Sequence, residues 1–279
     1  MIKILRMHLL AAIFLIAGGA HAQVDNATAE SLLRKSGLWE QLASIAPQVQ
    51  AGLSQSLAQL GTKPTDVEAG RISRVIGDAY AATRLRAVSM SVVSQKLNAN
   101  HVPELQRWFD SPLGRSIAKL EEAASAAQGG DSQALLQQGV ATLQKLPQTQ
   151  RQLLEELVTE THAAEALVQI TIKTAVAAQR AAAGAAPNAP RMSEGDLQAA
   201  LEAQRPQLLK AISAMALASF AGTYATLSPS QMQDYVNFIK SGAGSHFNTI
   251  GIVALDAALT DAAAELGRNL PRTKEAANS

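Results

Sequence analysis

Cysteine is absent from the 279-residue chain, and aromatic residues make up only 4% of it, whereas hydrophobic residues make up 47%. A chain without cysteine forms no disulfides, so its stability must come from the burial of apolar side chains. Alanine, leucine, valine and isoleucine supply most of that apolar content. Because this mixture favours closely packed helices over strands, the composition predicts an all-α protein.

A large net charge is also missing, since the formal net charge is only +1. Nucleic-acid-binding proteins normally have a basic surface, so near-neutrality argues against that class. The uncharged stretch 211–233 is interrupted by serine and threonine and is closed by Pro229. It is therefore too polar for a membrane span, and we expect a buried core helix. Its small residues Ala214, Ala218 and Gly222, spaced by four, predict close approach of another helix.

The N-terminus has the three parts of a secretory signal peptide. Lys3 and Arg6 precede an apolar run at 9–17, and small residues precede a cleavage position between Ala22 and Gln23. The run is shorter than the roughly 20 apolar residues that a transmembrane helix needs. The sequence thus predicts an exported protein that begins at Gln23 and has no transmembrane anchor after cleavage.

Apolar residues at spacings of three and four predict helices along the rest of the chain. The predicted helices cover 28–60, 66–97, 102–109, 112–128, 132–146, 148–183, 193–227 and 228–267. Thr65 with Glu68, and Ser228 with Gln231, have the pattern of capping boxes. Pro206 is expected to break or restart the helix that contains it.

The segments 97–117 and 227–247 align at a constant shift of 130 residues, with apolar positions and turn residues in the same places. The alignment pairs Trp108 with Phe238, Phe109 with Ile239, Ser111 with Ser241, and Gly114 with Gly244. It predicts two related three-helix units packed as a bundle, although amphipathic helices also align with one another by chance. The expected divisions are a signal peptide at 1–22, unit 1 at 23–130, a connecting helix at 131–147, unit 2 at 148–270 and a disordered tail at 271–279.

An acidic and apolar helix, the aromatic pair Trp108-Phe109 and then Ser111-Pro112-Leu113-Gly114 form the most specific motif of the chain. Here the sequence resembles the secreted bacterial family called domain of unknown function 2059. The second copy departs from the motif, because Gly242 stands where the first has proline and one aromatic residue is lost. The resemblance implies a helical periplasmic protein of Gram-negative bacteria, without an established activity.

Candidate residues for chemistry are few. His162 lies near Glu160 and Glu165, but a metal-binding pair on one helix face needs Glu-x-x-His spacing, so we expect a solvated polar face there. His101 and His246 have no partners at a recognisable spacing and are expected at the surface. The chain contains no Gly-x-Ser-x-Gly elbow and no phosphate-binding loop. We therefore assign no catalytic, cofactor-binding or metal-binding residue.

The sequence favours a non-catalytic binding or interaction module for a peptide, an unfolded chain or a lipid in the cell envelope. The alternatives are a hydrolase with an unmarked active site and a structural envelope component. A cleft with clustered titratable groups would indicate the hydrolase, and an apolar groove would indicate the binding module. Trp108, Phe109, Pro112 and Gly114 are expected to hold a bent helix in place and to line no site.

Overall fold

The computed structural model describes residues 23–59, 65–127, 132–185 and 192–269. Regular structure in these residues is helical throughout, which confirms the all-α prediction. The helices are α1 Asn26–Lys35, α2 Leu38–Gln59, α3 Asp66–Ala79, α4 Ala82–Lys96, α5 Val102–Phe109, α6 Pro112–Ala127, α7 Ser132–Lys145, α8 Gln148–Glu160, α9 Ala163–Ala185, α10 Glu194–Ala203, α11 Arg205–Thr223, α12 Pro229–Lys240 and α13 Gly242–Asn269, with a 3-10 turn at Ala99–His101. The signal peptide, the tail 271–279 and the predicted helix ends at 60 and 128 lie outside the described residues.

Helix starts are where the capping patterns predict them. The Thr65 and Ser228 hydroxyls accept hydrogen bonds from the backbone N–H groups three residues later. In turn, the side chains of Glu68 and Gln231 accept hydrogen bonds from the backbone N–H groups of Thr65 and Ser228. Both capping boxes are therefore confirmed. The restart at Pro206 is confirmed too, because α11 begins at Arg205 and has the proline in its first turn.

Three helices that we predicted as continuous are each divided in two. The break in 28–60 is at Gly37 and the break in 148–183 is at His162, the two described residues with positive φ, at 78° and 50°. In this left-handed conformation a residue ends an α-helix. The third break, in 66–97, is at Tyr80 and Ala81, where no glycine or proline marks it. Each predicted three-helix unit thus contains six helices.

The series α1–α6 and α8–α13 use the same packing scheme. In each series the first helix contacts the second, fourth and fifth, the second contacts the third, fourth and sixth, and the fifth contacts the sixth. The turn after the first helix is also alike, since the N–H of Ser36 donates to the carbonyl of Leu32 and that of Thr161 to Leu157. The two series therefore share these helix contacts and the turn after the first helix.

Helix α7 crosses α11 at very short range. A Cβ atom on Gly139 would lie 2.1 Å from the carbonyl oxygen of Ala218, and one on Gly222 would lie 3.5 Å from the Cα of Gly139. The close approach predicted from the small residues of α11 is confirmed at these two positions. Among the described helices, none has the length and apolar character to cross a membrane.

Helix α13 joins the two series. Its residues Ala258 and Ala262 are fully buried against Leu42, Ile76 and Leu85 of the first series. A second cluster combines buried residues from both series around the two helix corners described next. The packing of each series therefore depends on the other.

A candidate ligand cavity between two helix corners

The corner between α5 and α6 and the corner between α12 and α13 have the same geometry. A Cβ atom on Gly114 would lie 2.2 Å from the carbonyl oxygen of Trp108, and one on Gly244 would lie 1.9 Å from that of Phe238. The Gly114 N–H donates to the Ser111 hydroxyl at 2.9 Å, and the Gly244 N–H donates to the Ser241 hydroxyl at 3.0 Å. Only glycine leaves room for the preceding carbonyl at either corner.

The two corners meet through their aromatic side chains. The rings of Trp108 and Phe238 are stacked, with centroids 4.2 Å apart and an angle of 6° between their planes. Phe109 packs edge-on against Phe238 at 5.9 Å and against Phe247 at 5.4 Å. Such contacts fix the relative position of the two corners.

A cavity of about 380 Å³ lies beside this aromatic contact, between the two helix series. Its wall includes seven of the chain's ten aromatic residues, namely Trp108, Phe109, Phe220, Tyr224, Tyr235, Phe238 and Phe247. Pockets for small molecules typically have volumes of about 300 to 1,000 Å³ and mostly apolar walls with a few polar groups. The size and lining of this cavity fit that description.

One polar cluster lies in the wall. The hydroxyl groups of Tyr224 and Tyr235 both donate to the same oxygen of Glu121, Oε1, at 2.7 Å each. The two tyrosines are 5% and 8% exposed, and Glu121 is half-buried, as expected for a side chain that borders a cavity. Among the described residues that line the cavity, Glu121 is the only charged one.

Burial governs the protonation of this cluster. Burial raises the pKa of Glu121 above its ordinary value, the tyrosine hydrogen bonds act against the rise, and the nearby Glu122 adds to it. Burial, together with the Glu121 carboxylate, raises the pKa of Tyr224 and Tyr235 well above the usual value of a tyrosine. Both phenols therefore stay protonated and act as donors.

Charge is distributed unequally over the two halves of the cavity. Helices α6 and α13 both line it, and the shift of 130 residues that pairs Gly114 with Gly244 pairs Glu121 with Gly251. A Cβ atom on Gly251 would find its nearest contact, Leu38 Cδ1, at 3.6 Å. The α6 side thus presents a carboxylate where the α13 side presents no side chain.

The family-like motif lies partly in the cavity wall. Trp108, Phe109 and Gly114 line the cavity, as do Phe238, Ile239 and Gly244. That the first three serve a structural role and no functional site stays a prediction. Ser111 and Ser241 cap the helices that follow them. Pro112 begins α6 and is not among the described residues that line the cavity.

Sequence reasoning missed the polar cluster. Glu121 and Tyr235 belong to no motif that the sequence analysis assigned to a site. Tyr224 lay in the uncharged stretch, without a partner in sequence. One signal was available, because two of the chain's three tyrosines occur within 224–235.

The histidines form no metal site in the part of the chain that the structure describes, where no group of three or more potential ligands was found. His162 is exposed, as expected, but in a turn and not on a helix face. His101 and His246, which we expected at the surface, lie next to each other. Both are half-buried, their rings lie 5.0 Å apart, and the Asn98 N–H donates to His246 Nε2 at 3.1 Å, because α13 begins against the 3-10 turn.

The chain was compared with protein-family models, with curated proteins and with solved structures, and no match was found in any of the three comparisons.

Proposed function

We propose that the protein is an exported, periplasmic binding protein that holds a small, largely apolar molecule in the cavity between its two helix series. The observation that carries the proposal is the concentration of seven aromatic residues around one cavity of about 380 Å³ in a chain that has only ten. Elsewhere the buried residues are chiefly alanine, leucine, isoleucine and valine. Aromatic walls with one polar cluster are typical of ligand pockets.

The volume limits the size of the occupant. An engineered cavity of about 150 Å³ accepts benzene, so that by proportion a volume of about 380 Å³ accepts roughly 10 to 15 non-hydrogen atoms. This suits a single-ring amphiphile or a short chain better than a folded partner. The sequence left open a peptide, an unfolded chain or a lipid as the ligand. The cavity volume favours a small lipid-like or aromatic ligand among them.

We further propose that α1–α6 and α8–α13 descend from one duplicated unit. The shared packing scheme, the matched breaks at Gly37 and His162 and the equal geometry of the two glycine corners support this origin. The cavity then lies where the two copies meet. Such a position is common for ligand sites.

A hydrolase is the second candidate, because Glu121 has the raised pKa that a general acid or base needs. Against this candidate, the described residues of the cavity wall include no histidine or lysine that could activate a serine or threonine there. Both tyrosines donate to Glu121 and stay protonated. Turnover of an ester or amide probe that is lost in Glu121→Gln would favour this candidate over the binding protein.

Trp108 can report occupancy of the cavity. In the variant Trp39→Phe it becomes the chain's sole tryptophan, and Trp39 lies outside the described cavity wall. We expect saturable changes in Trp108 fluorescence and a higher melting temperature on titration with 4-phenylbutan-1-ol, which has 11 non-hydrogen atoms and no charge.

A matched pair of variants tests whether binding occurs in the cavity. Gly251→Leu places a side chain in the cavity wall, whereas Gly70→Leu lies on α3 with nothing within 4 Å of its Cβ. We expect Gly251→Leu to abolish the fluorescence change and Gly70→Leu to retain it. Lack of saturable binding in the parent protein, or equal binding by both variants, would refute the proposed cavity function.

A further inference from the structure

On the basis of the proposed binding function, we infer that the ligand carries a cationic head, an organic ammonium group, which pairs with Glu121 while its apolar body lies among the aromatic side chains.

Among the described residues that line the cavity, none is a lysine, arginine or histidine that could pair with Glu121. Several acidic residues elsewhere in the described structure pair with lysine or arginine, as Asp256 does with Lys173 at 2.7 Å and Glu156 with Lys240 at 2.7 Å. A half-buried carboxylate without a counter-ion loses part of its hydration, and a cation brought by a ligand would offset that loss. The raised pKa of Glu121 reflects the same burial.

The tyrosine hydrogen bonds decide which kind of head group fits. Each phenol has one proton to donate, and both protons are directed to Glu121 Oε1. Among the described residues, this leaves Oε2 without a hydrogen-bond donor. The cluster therefore offers an acceptor to the ligand, and the complementary head group is a donor, best a charged one.

The aromatic wall favours the same charge. Faces of tryptophan, tyrosine and phenylalanine attract organic cations and repel anions, and the effect is larger when water is excluded. Trp108 and Tyr235 are stacked in parallel 6.1 Å apart, and Tyr224 packs edge-on against Tyr235 at 5.6 Å, beside the carboxylate. A fatty acid would place a second carboxylate next to Glu121 and is disfavoured by repulsion.

The inequality between Glu121 and Gly251 fixes the orientation of the ligand. A head group on Glu121 lies against α6, and the body extends towards the α13 side, where Gly251 has no side chain. Two alike helix series without this difference would offer two equivalent orientations. The single carboxylate selects one.

Three probes of one shape test the inference: 4-phenylbutylammonium, 4-phenylbutan-1-ol and 4-phenylbutanoate, titrated by calorimetry at pH 7 into the full mature chain. We expect the ammonium probe to bind most tightly and the carboxylate probe most weakly. In Glu121→Gln, which preserves shape and an acceptor, affinity for the ammonium probe should fall about tenfold or more, while affinity for the alcohol should change little. The matched control Glu122→Gln, on the adjacent residue, should keep the ammonium preference.

The outcomes separate this inference from the proposed function. Equal binding of the ammonium and alcohol probes overturns the cationic ligand and leaves the cavity function standing, and so does an ammonium preference that persists in Glu121→Gln. Lack of binding by all three probes overturns both. Far-UV circular dichroism and the melting temperature of each variant establish that it is folded, and Glu121→Asp provides a second variant that keeps the charge.

Discussion

Replacing Gly244 by alanine should destabilise the protein, because the new methyl group has no space at the corner between α12 and α13. The Cβ would lie 1.9 Å from the carbonyl oxygen of Phe238, a backbone atom that no rotamer change can move. The carbonyl must retreat by about 1 Å before the contact reaches 3.0 Å, and such a shift propagates into buried Ala243 and Phe247. We expect the free energy of unfolding to fall by about 3 kcal/mol, towards the upper end of overpacking effects.

Urea denaturation followed by circular dichroism at 222 nm measures this loss as a lower midpoint at an unchanged slope. Gly114→Ala should give a similar loss, because its Cβ meets the Trp108 carbonyl oxygen at 2.2 Å. Gly70→Ala is the control, since its position in α3 is open and alanine should gain up to about 1 kcal/mol there. A Gly244→Ala midpoint equal to that of the parent, or above that of Gly70→Ala, would refute the packing argument.

Further predictions concern other parts of the chain. His162→Gly should raise the free energy of unfolding by about 1 kcal/mol in urea denaturation, because His162 has φ of 50° at a cost that glycine avoids. Trp108→Ala should lower it by about 2 to 4 kcal/mol through loss of the stack on Phe238. Because burial raises the pKa of Glu121, the folded protein holds this proton to higher pH than the unfolded chain does. The protonated carboxyl group therefore stabilises the fold below pH 4.5, the ordinary pKa of glutamate, and this stabilisation is lost as pH rises through the folded pKa. The melting temperature of Glu121→Gln, relative to that of the parent, should therefore increase as pH rises through the folded pKa of Glu121. A difference between the two melting temperatures that stays constant with pH would contradict this assignment. Intact mass of protein from an envelope fraction should show a chain that begins at Gln23, and retention of residues 1–22 would disprove cleavage.

Much of the fold was predictable from local signals. Thr65 and Ser228 mark helix starts because a short polar side chain reaches its own backbone within one turn, and the structure has both caps. The break at Tyr80 was not predictable, since no residue there forces the chain out of the helix. Tertiary packing of α3 and α4 on α13 determines it.

The cavity depends on contacts between residues that are far apart in sequence. It could therefore not be predicted from local sequence signals. Glu121 meets Tyr224 and Tyr235 across separations of 103 and 114 residues, and no spacing rule connects them. Whether an aromatic residue such as Trp108 fills a core or borders a cavity depends on the side chains that the opposing helix supplies. Here the opposing helix, α12, supplies Phe238, which stacks on Trp108, and the cavity lies beside that contact.

The position of α13 has a consequence for the order of folding. The buried cluster formed by Leu42, Ile76 and Leu85 is closed by Ala258 and Ala262, which are synthesised more than 170 residues later than Leu85. During translation the N-terminal half therefore has an open apolar surface until the last helix emerges, and contacts of such long range form slowly. An incomplete chain leaves this surface uncovered, so deletion of α13 should expose the N-terminal half to proteolysis.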